Sequence, residues 1–179
     1  MNLRIRFRCV SAFLAVVSLN IFSGCTPRPS VQALFTRHEL LSCGRLAVIG
    51  LTPEQEQIFM ASYLRAFPLP IVTFVERYRL KDIIGEQDLL QGRLDDSTRA
   101  KIRRILGVEA LIMCTYYDDD AVAAGGKKLR IRIVDSETGA IIGSVMTIAG
   151  DDFLNHCEMA VQALKKDLFS KEQSDKLSG

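Results

Sequence analysis

Residues 45–67, RLAVIGLTPEQEQIFMASYLRAF, join a short apolar strand to a helix. Residues 46–49 are apolar without a break and end at Gly50. An uninterrupted apolar run of this length is typical of a central strand that helices cover on at least one face. The stretch therefore predicts an α/β unit at the start of a folded domain.

The helix has a clear start and a clear end in the sequence. Thr52 can cap it, Pro53 suits its first position, and Gln55 completes a capping box. We expect it to extend to about Phe67, because Pro68 follows and proline cannot continue a helix.

The rest of the chain alternates between strand and helix patterns. Further strands are predicted at 71–75, 108–117, 129–134 and 140–148, and further helices around 80–90, over 95–107 and from 151 onward. Arg130 and Arg132 alternate with apolar residues in 129–134, which indicates a strand with one solvated face. The expected fold is α/β (α+β), with a mixed sheet of about five strands and helices packed on it.

The N-terminus has the pattern of a bacterial lipoprotein signal peptide. Three arginines precede an apolar segment, residues 9–22, which ends in Ser23-Gly24-Cys25. A buried helix is the competing interpretation, but Thr26-Pro27 follows at once and favours a chain that leaves the helix. Leucine is usual three residues before the lipidated cysteine, where this chain has Phe22.

Lipidation of Cys25 would tether the mature protein to a membrane. Thr26 follows the cysteine, and by analogy with Gram-negative sorting this indicates the outer membrane, with the domain facing the periplasm. The predicted divisions are a signal peptide at 1–24, the lipidated cysteine and a tether at 25–44, a folded domain at 45–170, and a disordered tail at 171–179.

The charge balance gives no sign of nucleic-acid binding. The chain has 23 basic and 21 acidic residues, and removal of the signal peptide with its three arginines leaves a net charge of −1. Lys and Arg are spread among acidic residues along the mature chain, whereas a phosphate backbone requires a concentrated basic surface. We therefore expect no nucleic-acid partner.

Three cysteines remain after Cys9 is removed and Cys25 is acylated: Cys43, Cys114 and Cys157. The apolar context of Cys114 and Cys157 predicts that both are buried small hydrophobic residues. A disulfide that involves Cys43 stays open. No histidine stands at a metal-ligand spacing from any of them, so we expect no zinc site.

The sequence contains no recognisable catalytic motif. The histidines, His38 and His156, lack an accompanying nucleophile motif. The segment 125–128, GGKK, does not match a phosphate loop, and the acidic run 118–120 lacks the ligand spacing of a calcium loop. We expect neither an enzyme, a cofactor nor a metal.

One set of residues resembles a known family. Val75-Glu76-Arg77, Leu80, Ile83-Ile84, Glu86-Gln87 and Gly92 resemble the "ER, L, EQ" signature of the CsgG family, the curli-secretion lipoproteins and their relatives. Residues 106–112 and 129–141 resemble that family's third strand and final hairpin. The resemblance implies a periplasmic domain with an anticodon-binding-like fold, hung from the outer membrane.

Within this motif, Glu76, Arg77, Leu80, Glu86 and Gln87 are expected to be structural. Glu76 and Arg77 are predicted to form a charge pair where a strand passes into a helix. Glu86 and Gln87 are predicted to bind nearby backbone.

Two functions follow from the resemblance. The first is a non-enzymatic adaptor or accessory component of a cell-envelope assembly, with an envelope protein as partner. The second is a subunit of an outer-membrane secretion complex of the curli-export type, which would make the chain a homo-oligomer. Fold alone does not choose between them.

The signal predicts that the mature chain begins at acylated Cys25 and fractionates with membranes. Cys25→Ser should abolish acylation and normal processing, which intact mass and membrane fractionation would detect. Cys9→Ser, within the signal peptide, is the matched control and should leave both unchanged. An unmodified wild-type chain that starts at Met1 would contradict the localisation.

Overall fold

The computed structural model describes residues 30–67, 72–92, 94–118 and 126–177. Its strands are β1 Ser30–Thr36, β2 Arg45–Ile49, β3 Thr73–Phe74, β4 Ala110–Asp118, β5 Lys127–Asp135 and β6 Ile141–Ala149. Its helices are α1 Pro53–Ala66, α2 Arg77–Lys81, α3 Glu86–Gln91, α4 Asp96–Leu106 and α5 Phe153–Leu177, with a 3₁₀ turn at His38–Ser42.

The strands form one mixed sheet in the order β1-β6-β5-β4-β2-β3. β2 lies parallel to β3 and to β4, whereas β4, β5, β6 and β1 are successively antiparallel. The predicted α/β fold with a mixed sheet is therefore confirmed. The described sheet has six strands, one more than the sequence pattern indicated.

The additional strand lies in the segment predicted to be a tether, so that prediction is wrong for residues 30–44. β1 pairs with β6 from Ser30 opposite Ile148 to Thr36 opposite Gly143. Thr36 Oγ1 also donates to Asp167 Oδ2 of α5, at 2.5 Å. Pairing partners over 100 residues away stabilise this strand, and local periodicity does not reveal them. Residues 1–29, with Cys25 and the signal peptide, lie outside the described residues.

The tail was also predicted incorrectly, because the backbone of α5 continues to Leu177. The polar composition of residues 171–177, KEQSDKL, predicted disorder, but Lys, Glu, Gln and Leu also have high helix propensity. Helix α5 can therefore extend beyond its last buried residue, Leu168.

The predicted start of the first helix is confirmed in detail. The Thr52 side chain accepts from the Gln55 amide, and the Gln55 side chain accepts from the Thr52 amide, at 3.3 and 3.2 Å. Helix α1 begins at Pro53 and ends at Ala66. Asp95 similarly caps α4 by accepting from the Thr98 amide at 2.6 Å.

Helices α1 and α5 pack on one face of the sheet. The larger buried cluster joins their apolar side chains, such as Phe59 and Val161, to inward-facing residues of β2, β4, β5 and β6. All buried residues of both hydrophobic clusters lie between Leu40 and Leu168. Removal of the predicted signal peptide would therefore remove none of these core residues.

The described helices cover only part of the other face of the sheet. The smaller cluster joins Ala47, Ile49 and Leu111 of β2 and β4 to residues of α2, α3 and α4. Among the described residues, no side chain of β1, β5 or β6 belongs to this cluster. We call the remaining part of this side the open face; strand register assigns to it Ser30, Gln32, Phe35, Thr115, Tyr117, Lys128, Arg130, Arg132, Ser144, Met146 and Ile148.

A close backbone contact seats α3 against the sheet. The Gly50 amide donates to Leu89 O at 2.7 Å. Gly50 has φ of +89°, and a Cβ there would lie 1.9 Å from Cys114 O. Glycine is required at the end of β2, because it has no Cβ and can therefore adopt this positive φ and approach Cys114 this closely.

The cysteines 43, 114 and 157 are all buried and unpaired. The prediction that Cys114 and Cys157 are buried hydrophobic residues is confirmed. Burial raises the pKa of the Cys43 thiol to about 11 and that of Cys157 to about 12. In the described ranges, no helix combines the length and the apolar character that crossing a bilayer requires.

His156 has a structural role at the junction of β6 and α5. It is 0% exposed, and its ring nitrogens lie 2.8 Å from Thr147 Oγ1 and 3.0 Å from Gly150 O. Because the carbonyl of Gly150 can only accept, Nε2 carries the proton and Nδ1 accepts from Thr147. Burial lowers the pKa of His156 below its ordinary value.

This shift predicts a loss of stability in mild acid. Between the lowered folded pKa and the unfolded value of about 6.5, only the unfolded chain binds the proton, so the free energy of unfolding falls as the pH falls. Denaturant unfolding from pH 7.5 downward should show this fall. His156→Gln should flatten the dependence in this window.

His38→Gln is the matched control, because His38 is exposed on the 3₁₀ turn. It should keep the wild-type dependence on pH. Equal pH dependence in wild type and His156→Gln would contradict the assignment.

Candidate functional site

Arg77 stands where β3 passes into α2, and it contacts three other parts of the chain. Its Nη1 donates to Leu51 O at 3.0 Å and to Glu56 Oε2 at 2.7 Å, and its Nη2 donates to Glu86 Oε1 at 2.7 Å. The side chain of Arg77 is 11% exposed and that of Glu56 is 3% exposed. One guanidinium therefore connects the starts of α1, α2 and α3.

The positions at which α1 and α3 begin determine where the two partners of Arg77, Glu56 and Glu86, lie. The capping box fixes the beginning of α1, so Glu56 falls one turn into the helix, on the same side as buried Phe59 and Tyr63. Glu86 is the first residue of α3 and also pairs with Lys81 at the end of α2, at 2.7 Å. The cluster of Glu56, Arg77, Lys81 and Glu86 is hereafter the Arg77 cluster.

Burial and pairing act in opposite directions on the charges of this cluster. Burial raises the pKa of Glu56, and the hydrogen bond from Arg77 opposes that rise. Burial is also the largest influence on Arg77 and lowers its pKa, but the bonds to Glu86 and Glu56 together raise it above the ordinary value. The guanidinium is therefore charged, and Glu56 depends on it as its partner.

The predicted pairing of Glu76 with Arg77 is wrong. Glu76 is the exposed N-cap residue of α2 and makes no capping hydrogen bond with its side chain. Adjacent residues at a helix start point in different directions, so Arg77 reaches across to other helices instead.

The remaining motif residues have different surroundings. Leu80 is 0% exposed in the smaller hydrophobic cluster, and Gln87 is exposed on α3. The structure thus brings together Arg77 and Glu86 but not Glu76 or Gln87.

Sequence reasoning missed Glu56, which stands 21 positions before Arg77. A signal was present, since this carboxylate lies on the buried side of an amphipathic helix. A charged residue at such a position requires a buried partner.

A groove of about 340 Å³ lies beside the Arg77 cluster, between α1, β3 and α2. Tyr78, 56% exposed, stands at this groove. Arg77 also lines the groove, and its Nε atom is buried without a hydrogen-bond partner among the described residues. The complete lining is Pro53, Glu56, Gln57, Met60, Phe74, Val75, Glu76, Arg77 and Tyr78.

The groove borders an edge of the sheet. The amide of Thr73 in β3 donates to Gly44 O, and the amide of Val75, directly after β3, donates to Leu46 O of β2, each at 2.8 Å. Because backbone groups alternate in direction along a strand, the N–H and C=O of Phe74 point away from β2. An extended peptide can pair with such an edge while its side chains enter the groove.

A larger depression of about 490 Å³ lies between α3 and α4. Asp88 and Asp95 are among its lining residues, but Asp95 already caps α4. Within the described residues, no three His, Cys, Asp or Glu side chains are arranged to hold a metal ion. The groove beside Arg77 is therefore the better candidate site.

Comparison with known families identifies the domain. The sequence model of the family described as curli production assembly/transport component CsgG matches residues 72–165, more than half of the chain. The chain belongs to the CsgG family. The matched region of this CsgG-family protein begins just before β3, so it includes Arg77 and Glu86, whereas Glu56 precedes it.

Two solved structures are similar to this CsgG-family protein. A PelC dodecamer from Paraburkholderia phytofirmans is 12% identical, with a TM-score of 0.45 and coverage of 78% of this chain and 96% of that one. Lipoprotein GNA1162 from Neisseria meningitidis is 13% identical, with a TM-score of 0.36 and coverage of 60% and 82%. No curated protein matches the sequence significantly.

The cluster predicts that Arg77 is essential for stability. Arg77→Ala would leave Glu56 buried without its partner, which should lower the free energy of unfolding by about 3 to 5 kcal/mol. Chemical denaturation would measure the loss. Arg79→Ala, at an exposed position in the same helix, is the control and should unfold like the wild type.

Glu76→Gln is a second control, because Glu76 is exposed and outside the cluster. If Glu76→Gln destabilised the protein as strongly as Arg77→Ala, the cluster would not be the reason for the loss.

Proposed function

We propose that this protein is a lipid-anchored periplasmic accessory component of a cell-envelope assembly and acts as a non-enzymatic adaptor. The match to the CsgG family over residues 72–165 carries the proposal, because that family is described as an assembly and transport component. The lipoprotein signal ending at Cys25 supplies the location, at the periplasmic side of the outer membrane.

The groove beside the Arg77 cluster is the proposed docking site for the partner. Its apolar wall includes Met60, Phe74 and Tyr78, and its lining residue Arg77 has a buried Nε donor with no partner among the described residues. The outward backbone groups of Phe74 offer two further hydrogen bonds. These features fit an extended peptide segment with an apolar side chain and a nearby carbonyl or carboxylate oxygen.

The known contacts of the polar side chains support a binding role over a catalytic one. His156 is buried with both ring nitrogens engaged, and Glu56 is held in the ion pair with Arg77. These groups maintain the fold in their observed positions. We assign no catalytic residue, metal or cofactor.

The alternative is a subunit of a secretion complex of the curli-export type. The family description favours it as well, since it names transport together with assembly. In that case the protein's principal partners would be further copies of itself.

Site-specific photo-crosslinking in intact cells tests the proposal. A photoreactive phenylalanine at Tyr78, on the exposed rim of the groove, should give a discrete adduct with an envelope protein, identified by mass spectrometry. Met60→Asp should weaken that adduct, because it places a charge in the apolar wall. Cys25→Ser should also weaken it by removing the anchor.

Leu154, 43% exposed on α5, is the matched control position for the photoreactive residue. The same adducts from both positions would argue against the groove. Adducts made only of multiples of this chain would replace the adaptor with the transport subunit.

A further inference from the structure

Three basic residues stand in one row on the open face. Lys128, Arg130 and Arg132 occupy alternate positions of β5, so their side chains leave the same side about 7 Å apart. Arg130 and Arg132 are exposed. The Arg130 guanidinium also lies 5.9 Å from the centre of the Tyr117 ring on β4.

The described residues that share the open face with Arg130 and Arg132 carry no acidic side chain. None of the eleven open-face residues is Asp or Glu. None of the salt bridges between described residues includes Arg130 or Arg132. The open face is therefore positively charged, although the processed chain as a whole is expected to be slightly acidic.

The short segment between Cys25 and β1 limits how far the open face can lie from Cys25. Ser30 begins β1 and pairs with Ile148, which in turn pairs with Lys128. Neighbouring strands are about 4.8 Å apart, so the backbone of Lys128 lies about 10 Å from that of Ser30. Five residue steps separate Ser30 from Cys25, and they span at most about 18 Å.

We propose that the open face rests on a bilayer surface and binds anionic phospholipid headgroups through Arg130 and Arg132. The inference builds on the proposed lipid anchor at Cys25, since the short connection holds this end of the sheet near the membrane. The row of cations is complementary to negatively charged headgroups. Phe35, 36% exposed on the outermost strand of the face, adds an apolar contact at the interface.

The geometry favours a membrane over an acidic protein as the occupant. An acyl group at Cys25 would hold one end of this face within about 30 Å of the bilayer. The face is a sheet surface, so several cations can approach a planar array of headgroups together. It also leaves the groove beside Arg77, at the opposite edge of the sheet, available for the protein partner.

Fluorescence quenching on vesicles tests the orientation. The acylated protein would carry a fluorophore at Thr115→Cys on the open face, or at Gln162→Cys on α5 as the control position. Cys43, Cys114 and Cys157 are at most 8% exposed and should not compete for the label, and acylation would block Cys25. Vesicles of phosphatidylcholine alone, or of phosphatidylcholine and phosphatidylglycerol in equal parts, would contain a lipid with a quencher on its headgroup.

We expect stronger quenching at Thr115→Cys than at Gln162→Cys when phosphatidylglycerol is present. Arg130→Gln combined with Arg132→Gln should reduce the ratio of protein with its open face on the bilayer to protein with that face free by about 30-fold. Each cation near an anionic surface increases this equilibrium constant about fivefold. Lys101→Gln combined with Arg104→Gln removes the same charge from exposed positions on α4 and should have no such effect.

Three results would overturn the inference. They are equal quenching at both label positions, quenching that does not depend on phosphatidylglycerol, and quenching that persists when both Arg130 and Arg132 are replaced by Gln. So would photo-crosslinking of Thr115 to an acidic protein in place of lipid. Failure of the wild-type protein to remain on vesicles would refute the anchor instead. The unacylated mature chain would then test the face, since its sedimentation with phosphatidylglycerol vesicles should still require Arg130 and Arg132.

Discussion

Incomplete coverage of one sheet face is the constraint on which the organisation of this protein depends. Helices α1 and α5 cover one side, whereas α2, α3 and α4 cover only β2 and β4 on the other. No residue of β5 or β6 joins the cluster beneath these helices, and the β5 residues on this face include Lys128, Arg130 and Arg132. The same arrangement creates a covered edge region with a groove and an uncovered region with a row of cations.

The Arg77 cluster holds the covered half together. Helices α2 and α3 have five and six residues, too few to be stable by themselves. Arg77 fixes their starts against α1, and Gly50 allows α3 to approach the end of β2 closely. Glu56 and Arg77 of the cluster also line the groove, so folding and the proposed partner binding would share a site.

The position of β1 makes the predicted tether much shorter than the sequence indicated. Because residues 30–36 belong to the sheet, the segment between Cys25 and the folded domain has four residues, 26–29. A long tether would let the domain turn freely, whereas four residues after the proposed anchor at Cys25 would restrict which surfaces can meet the membrane. The groove at the β3 edge and the open face beside β1 would then serve different partners.

Much of the fold was predictable because its signals are local. The capping box at Thr52, the cap at Asp95 and the alternation along β5 depend on residues a few positions apart, and the structure confirms each of them. The same holds for the resemblance to the CsgG family, which follows from ordered short motifs. Sequence alone therefore determined the fold class, the family and most element boundaries.

Tertiary structure decided the remaining features, because each depends on residues far apart in the chain. β1 is stabilised by β6, more than 100 positions away, and carries too little periodicity of its own to predict. Arg77 binds Glu56 rather than its neighbour Glu76, since only packing brings the start of α1 to it. The basic surface also required the structure: the sequence disperses its Lys and Arg residues, and only the sheet leaves Lys128, Arg130 and Arg132 on a face that no described helix covers.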